Sequence, residues 1–101
     1  MNFEINETYT FKLTSGEELV AKVVGTPDTD GFLEISEPVS VAPGPQGVGL
    51  MPSLFTGEQQ GTCRINTKNV TMVAQTAEQV KDKYLEATTG IRVPSKKILV
   101  G

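Results

Sequence analysis

Cys63 is the one side chain in this sequence with ready nucleophilic chemistry, and Arg64 beside it is a cation of the kind that favours a thiolate. No histidine occurs anywhere in the 101 residues. A Ser-His or Cys-His nucleophile pair is therefore excluded, and the commonest metal ligand is missing. Cys63 sits in a stretch of strand character, which makes a buried strand cysteine the plainer reading. Asp28-Thr29-Asp30-Gly31 has the look of a calcium-loop fragment. It lacks the third oxygen ligand and the distal glutamate, so a solvated turn is expected. Glu17-Glu18 and the pair Glu34 and Glu37 are neighbours in sequence only, and solvated strand ends explain them. Pro43-Gly44-Pro45-Gln46-Gly47 has neither the lysine nor the following helix of a phosphate loop. Zinc spacing is absent. These residue types point away from an enzyme, and neither a cofactor nor a metal is expected.

Composition sets the remaining bounds. At 101 residues and 10.8 kDa, with 38% apolar and 21% charged residues, the chain suits one small domain with a modest core. No apolar run is long enough to span a bilayer, so no membrane association is expected. The first residues, Met-Asn-Phe-Glu-Ile-Asn-Glu, lack the apolar stretch of a secretory signal. With a single cysteine this favours a reducing, cytoplasmic setting. On that reading the sequons Asn6-Glu7-Thr8 and Asn69-Val70-Thr71 are chance matches. Charge is uneven. Through Thr62, two lysines stand against nine acids, which is −7; from Cys63 onward, seven bases stand against three acids, which is +4. The basic end suits an anionic partner, or the two halves meet within or between subunits.

The elements that must position these residues are read from periodicity. Thr8 to Thr14 alternates strictly, with Tyr9, Phe11 and Leu13 on one face, and Glu18 to Val24 alternates again after a Ser15-Gly16 turn. Thr26 to Gly31 is a run of turn formers. Phe32 to Ser36 resumes strand character. Val39 and Val41 continue the same period past Pro38, as one bent strand with the proline at a bulge or edge. Pro43 to Pro52 reads as a loop, with a short strand conceivable around Val48 to Met51. Thr62 to Ala74 carries the last strands. Thr76-Ala77-Glu78-Gln79 has capping-box spacing, and Ala77, Val80, Tyr84 and Ala87 form an apolar stripe on a helix that Gly90 would stop. The domain divides into strands over about 8–74, a helix over about 76–90 and a tail over 91–101. So many short strands in so short a chain require a strongly bent or closed sheet.

Two segments resemble one family. Phe11 to Gly25, a strand, a Ser-Gly hairpin and an alternating strand ending in glycine, looks like the first half of the first Sm motif of Sm/LSm proteins. Ile65-Asn66-Thr67-Lys68-Asn69-Val70 resembles the second motif. Ile65, Asn69 and Val70 match it, while Asn66 stands where arginine is usual and Thr67 where glycine is usual. The whole chain is also similar to small Sm-like proteins encoded by marine phages of cyanobacteria, in a stretch that here reads Tyr84-Leu85-Glu86-Ala87-Thr88-Thr89-Gly90-Ile91.

The resemblance implies a mainly β fold: a strongly bent, five-stranded antiparallel barrel with one C-terminal helix. It further implies a homo-oligomeric ring of about five to seven subunits joined through edge strands. On that basis the subunit interface is expected at Leu50, Met51, Leu54, Phe55, Val70 and Met72. Single-stranded RNA is the partner the family implies, contacted here by Gly31, Arg64, Asn66 and Lys68. By alignment the family's base-reading asparagine falls near Gly31 and its stacking arginine at Asn66, so no aromatic or guanidinium is expected there to stack a base. The alternative is an assembly or adaptor ring that touches no nucleic acid.

Overall fold

A computed structural model describes residues 2–58 and 61–88. Six strands, a single 3-10 turn and one helix follow in order. They are β1 (Thr8–Leu13), β2 (Glu18–Val23), β3 (Phe32–Gly44), β4 (Gly47–Pro52), β5 (Thr62–Asn66), the turn Thr67–Asn69, β6 (Val70–Gln75) and α1 (Glu78–Leu85). All strand pairs are antiparallel, in the order β4-β3-β2-β1-β6, with β5 also on β3. The fold is thus mainly β with one C-terminal helix, as expected. Where a strongly bent five-stranded barrel was expected, the strands form an open antiparallel sheet of six. Among the described residues, β6 pairs only with β1, and β4 and β5 pair only with β3. The stretch read as a loop from Pro43 to Pro52 is instead a hairpin. Its glycines and prolines support strand pairing here, with Pro43 opposite Val48, Gly44 opposite Gly47, and Gly47 at φ 114° where a side chain would be strained.

The alternation in β1 and β2 builds the main core. Tyr9 and Phe11 pair with Ala21 and Leu19, and these four pack with Val23, Leu33 and Ile35. The hairpin between the strands closes at Ser15-Gly16, where Gly16 adopts φ 94° and its N–H donates to the Leu13 carbonyl at 2.9 Å. Cys63, Ile65 and Val73 close the sides of the same core, and Phe3 meets Tyr9 edge-on at 5.0 Å.

β3 does not keep one period along its length. Between Ser36 and Val39 it carries one residue more than β2 does between Val20 and Lys22. Glu37 takes up this extra residue at φ 52°, just before Pro38. A one-residue bulge exchanges the faces of a strand. Leu33 and Ile35 therefore enter the main core, whereas Val39 and Val41 turn to the opposite face.

That opposite face is what α1 covers. Val20 and Val39 pack there against Tyr84, with Val41, Leu50 and Val80 around them. The Tyr84 hydroxyl donates toward the carbonyls of Ser36 and Glu37, at 3.1 and 3.0 Å, beside the bulge. The expected capping box does not form. Ala77 is the N-cap residue and offers no side-chain bond, while Thr76 shares a hydroxyl contact with Thr10 at 3.0 Å. Gly90 and the tail over 91–101 lie outside the described residues. No helix among the described residues is long and apolar enough to cross a membrane.

Candidate nucleic-acid interface and open sheet edges

The register of β3 against β5 brings three of the four RNA candidates together, and the turn that follows brings the fourth. Phe32 lies opposite Asn66, and Glu34 opposite Arg64. Gly31 sits immediately before β3 at φ 87°, where its backbone approaches Thr67. Its carbonyl accepts from the Thr67 N–H at 2.8 Å and the Thr67 hydroxyl at 2.7 Å. The Thr67 hydroxyl thus ties the turn to Gly31. Asn66 uses Oδ1 to cap the 3-10 turn, accepting from the Lys68 N–H at 3.0 Å. Lys68 is exposed beside it.

Sequence reasoning missed the aromatic here. The Arg64 guanidinium lies 5.2 Å from the centroid of the Phe32 ring, a cation–π contact on the solvent side of the sheet. The available signal was alternation. Leu33 and Ile35 face the core, so Phe32 and Glu34 must face away, and the strand opposite carries Arg64 on that same side. A guanidinium stacked on an aromatic is a surface on which a base can lie. The aligned positions themselves hold Gly31 and Asn66, and the Phe32–Arg64 pair lies beside them.

The electrostatics of the cluster are mixed. The Asp28 carboxylate lies 3.8 Å from Arg64, with both side chains well exposed. Asp28 also accepts from the Asp30 N–H at 2.9 Å and the Phe32 N–H at 3.0 Å. Its role in the Asp28–Gly31 turn is therefore to close the loop that sets Phe32. The described residues hold no group of three or more acidic, cysteine or histidine side chains able to bind a metal. Cys63, next in sequence to Arg64, points the other way and packs against the main core. Burial pushes its thiol above the ordinary value near 9.0, the reverse of what a nucleophile needs.

The residues assigned to a subunit interface fall into two groups. Met51, Leu54 and Phe55 are 44%, 51% and 76% exposed, on β4 and the excursion that follows it. Met72, on β6, is 69% exposed. Leu50 and Val70 are half-buried against cores of their own subunit, Leu50 beneath α1 and Val70 on the main core. Of the residues so assigned, the four exposed ones therefore lie on β4 and the excursion after it and on β6.

A comparison with protein-family models finds no match to this chain, and a comparison with curated proteins finds none either.

Proposed function

We propose that the chain is the subunit of an Sm-like homo-oligomeric ring in which the β6 edge of one copy pairs with the β4–β5 edge of the next. One observation carries this reading: among the described residues β6 pairs on one side only, with β1, and it carries no charge. Its six residues, Val-Thr-Met-Val-Ala-Gln, include no charge and no proline, and Met72 stands open on it. Proteins that remain single commonly protect such an edge with lysine or proline; the one irregularity of β6 is the register shift at Thr71, opposite Lys12 and Leu13. The opposite end of the sheet is also open and carries Met51 and Phe55. Two different edges on one molecule pair head to tail, and a head-to-tail contact closes into a ring when its rotation permits. The strand order, the Ser-Gly hairpin and the 3-10 turn between β5 and β6 are compatible with the bent sheet that the two motif resemblances imply.

The ring's role on this reading is assembly, as a scaffold or adaptor. A second reading, single-stranded RNA binding, is favoured by a specific observation: Gly31, Arg64, Asn66 and Lys68 converge with Phe32 at one end of β3 and β5. Asp28 and Asp30 in the same cluster oppose phosphate and keep it second. Light scattering on the full chain tests the first reading. A particle of five to seven copies of 10.8 kDa weighs about 54 to 76 kDa; a mass near 11 kDa refutes it. A salt titration with a short single-stranded RNA tests the second. Binding that weakens steeply as salt rises, and weakens further in Arg64→Ala, supports RNA recognition; an absence of binding at low salt leaves the scaffold reading alone.

A further inference from the structure

The two longest stretches of the sequence without Asp, Glu, Lys or Arg are 38–57 and 69–77. The first contains all of β4 and the second all of β6. Among the described residues each of these strands pairs on one side only, β4 with β3 and β6 with β1. Each also holds one methionine, Met51 on β4 and Met72 on β6. Both side chains are exposed, and neither belongs to either core. The remaining methionine, Met1, lies outside the described residues.

A thioether is apolar when reduced and polar once it carries oxygen. It reacts with a peroxide without first ionising, so exposure decides which sulfur is reached. Cys63 competes poorly. It is half-buried against the main core, and burial pushes its thiol upward, which leaves little thiolate for a peroxide to meet. Oxidant chemistry therefore falls on the two uncharged edges.

Resting on the self-assembly reading, we propose that Met51 and Met72 are a redox switch on the assembly edges: a peroxide converts them to sulfoxides in the free subunit, and the oxidised edges no longer associate. In each step a sulfur lone pair attacks one peroxide oxygen, the O–O bond breaks and an S–O bond forms. The other oxygen leaves as water with the proton the first one carried. Sulfur loses two electrons and the peroxide gains them. The subunit itself tolerates the change. Water answers the new oxygen at both sites. At Met72 the register also places Lys12 opposite, itself paired with Glu18 at 3.7 Å, and Thr10 lines the same groove. An uncharged edge strand brings no ammonium or guanidinium in exchange for that water, and a polar oxygen buried without a hydrogen bond opposes association.

The test uses the full chain with Cys63→Ser as background. It is oxidised with hydrogen peroxide in urea, so that both sulfurs are reached, and returned to buffer beside an untreated control. Peptide mass mapping locates the added oxygens, and far-UV circular dichroism checks the fold. Light scattering is expected to read several copies in the control and one copy after oxidation, a loss of mass of about five- to sevenfold. Met51→Leu with Met72→Leu, treated alike, is expected to keep the mass of the control; Met1 oxidises in both proteins and drops out of the comparison. Where the oxidised chain does not refold, Met51→Gln with Met72→Gln puts a polar amide at each position without oxidant. A single copy then supports the switch, and an unchanged mass overturns it. Both sulfoxides present at the mass of the control overturn it, as does an equal loss of mass in the leucine variant. The two readings part cleanly. A monomeric control removes assembly and switch together, whereas an oligomer unmoved by oxidation removes only the switch.

Discussion

Single side chains decide two local questions. Tyr84 is fully buried, and its hydroxyl meets the two carbonyls beside the bulge. Tyr84→Phe keeps the ring and removes the hydroxyl's hydrogen bonding to these carbonyls, at a cost of about 0.5–1.5 kcal/mol. Urea unfolding is expected to show a lower midpoint with an unchanged slope. Cys63 gives the second. Its thiol is held neutral by burial, so folding resists ionisation that the unfolded chain permits near its ordinary value of 9.0. The sign follows: an acid whose folded value is raised adds stability that is fully present below the unfolded value and fades as pH climbs past it. Iodoacetamide at pH 8 is expected to react more slowly with the folded protein than with the urea-unfolded chain. Equal rates in the two states would show that the thiol is not shielded.

The strands were legible where one side chain in two faces the core, as in Tyr9, Phe11, Leu19 and Ala21. Legibility failed at the two places where local chemistry and tertiary structure part. Val39 and Val41 carry the same sequence parity as Leu33 and Ile35, yet serve the other face, because the extra residue at Glu37 is invisible to a count of two. The glycines and prolines of 43–52 read as a loop around a short strand near Val48 to Met51, yet Gly47 to Pro52 pairs with Val39 to Gly44 residue by residue, so the strand extends to both ends of that stretch. The capping motif at Thr76 failed for a similar reason: Thr10, distant in sequence, takes the hydroxyl. At the candidate site the cations were visible in sequence, but the Phe32–Arg64 contact needed the β3–β5 register. Element-scale reasoning also yields a test of the open edge. Met72→Lys places a charge at the centre of β6 without touching either core. Its thermal stability as a subunit is expected to change by no more than about 0.5 kcal/mol, while the particle mass measured by light scattering falls to that of one chain. A charged edge that leaves the mass unchanged would locate assembly elsewhere.

At the scale of the molecule, two cores share one sheet. The bulge in β3 divides its inward residues between a strand-enclosed core and a helix-covered one, and both meet at β2, where Leu19 and Val20 point opposite ways. Loss of α1 would uncover only the second. Pairing of β1 with β6 joins Tyr9 to Gln75 and Phe11 to Val73. Contacts between such distant residues slow folding, so refolding from urea is expected in the range of about milliseconds to seconds, well behind a small helical protein. Stopped-flow fluorescence of the tyrosines reads it; completion within microseconds would contradict the topology. The same connection matters during synthesis. β6 leaves the ribosome after β2 to β5, so each nascent chain passes through a period in which β1 is paired with β2 alone and its other edge is bare. In that interval a sister chain's β6 can take the vacant seat, and polysomes crowded with this message are where exchanged, interlocked copies would first arise.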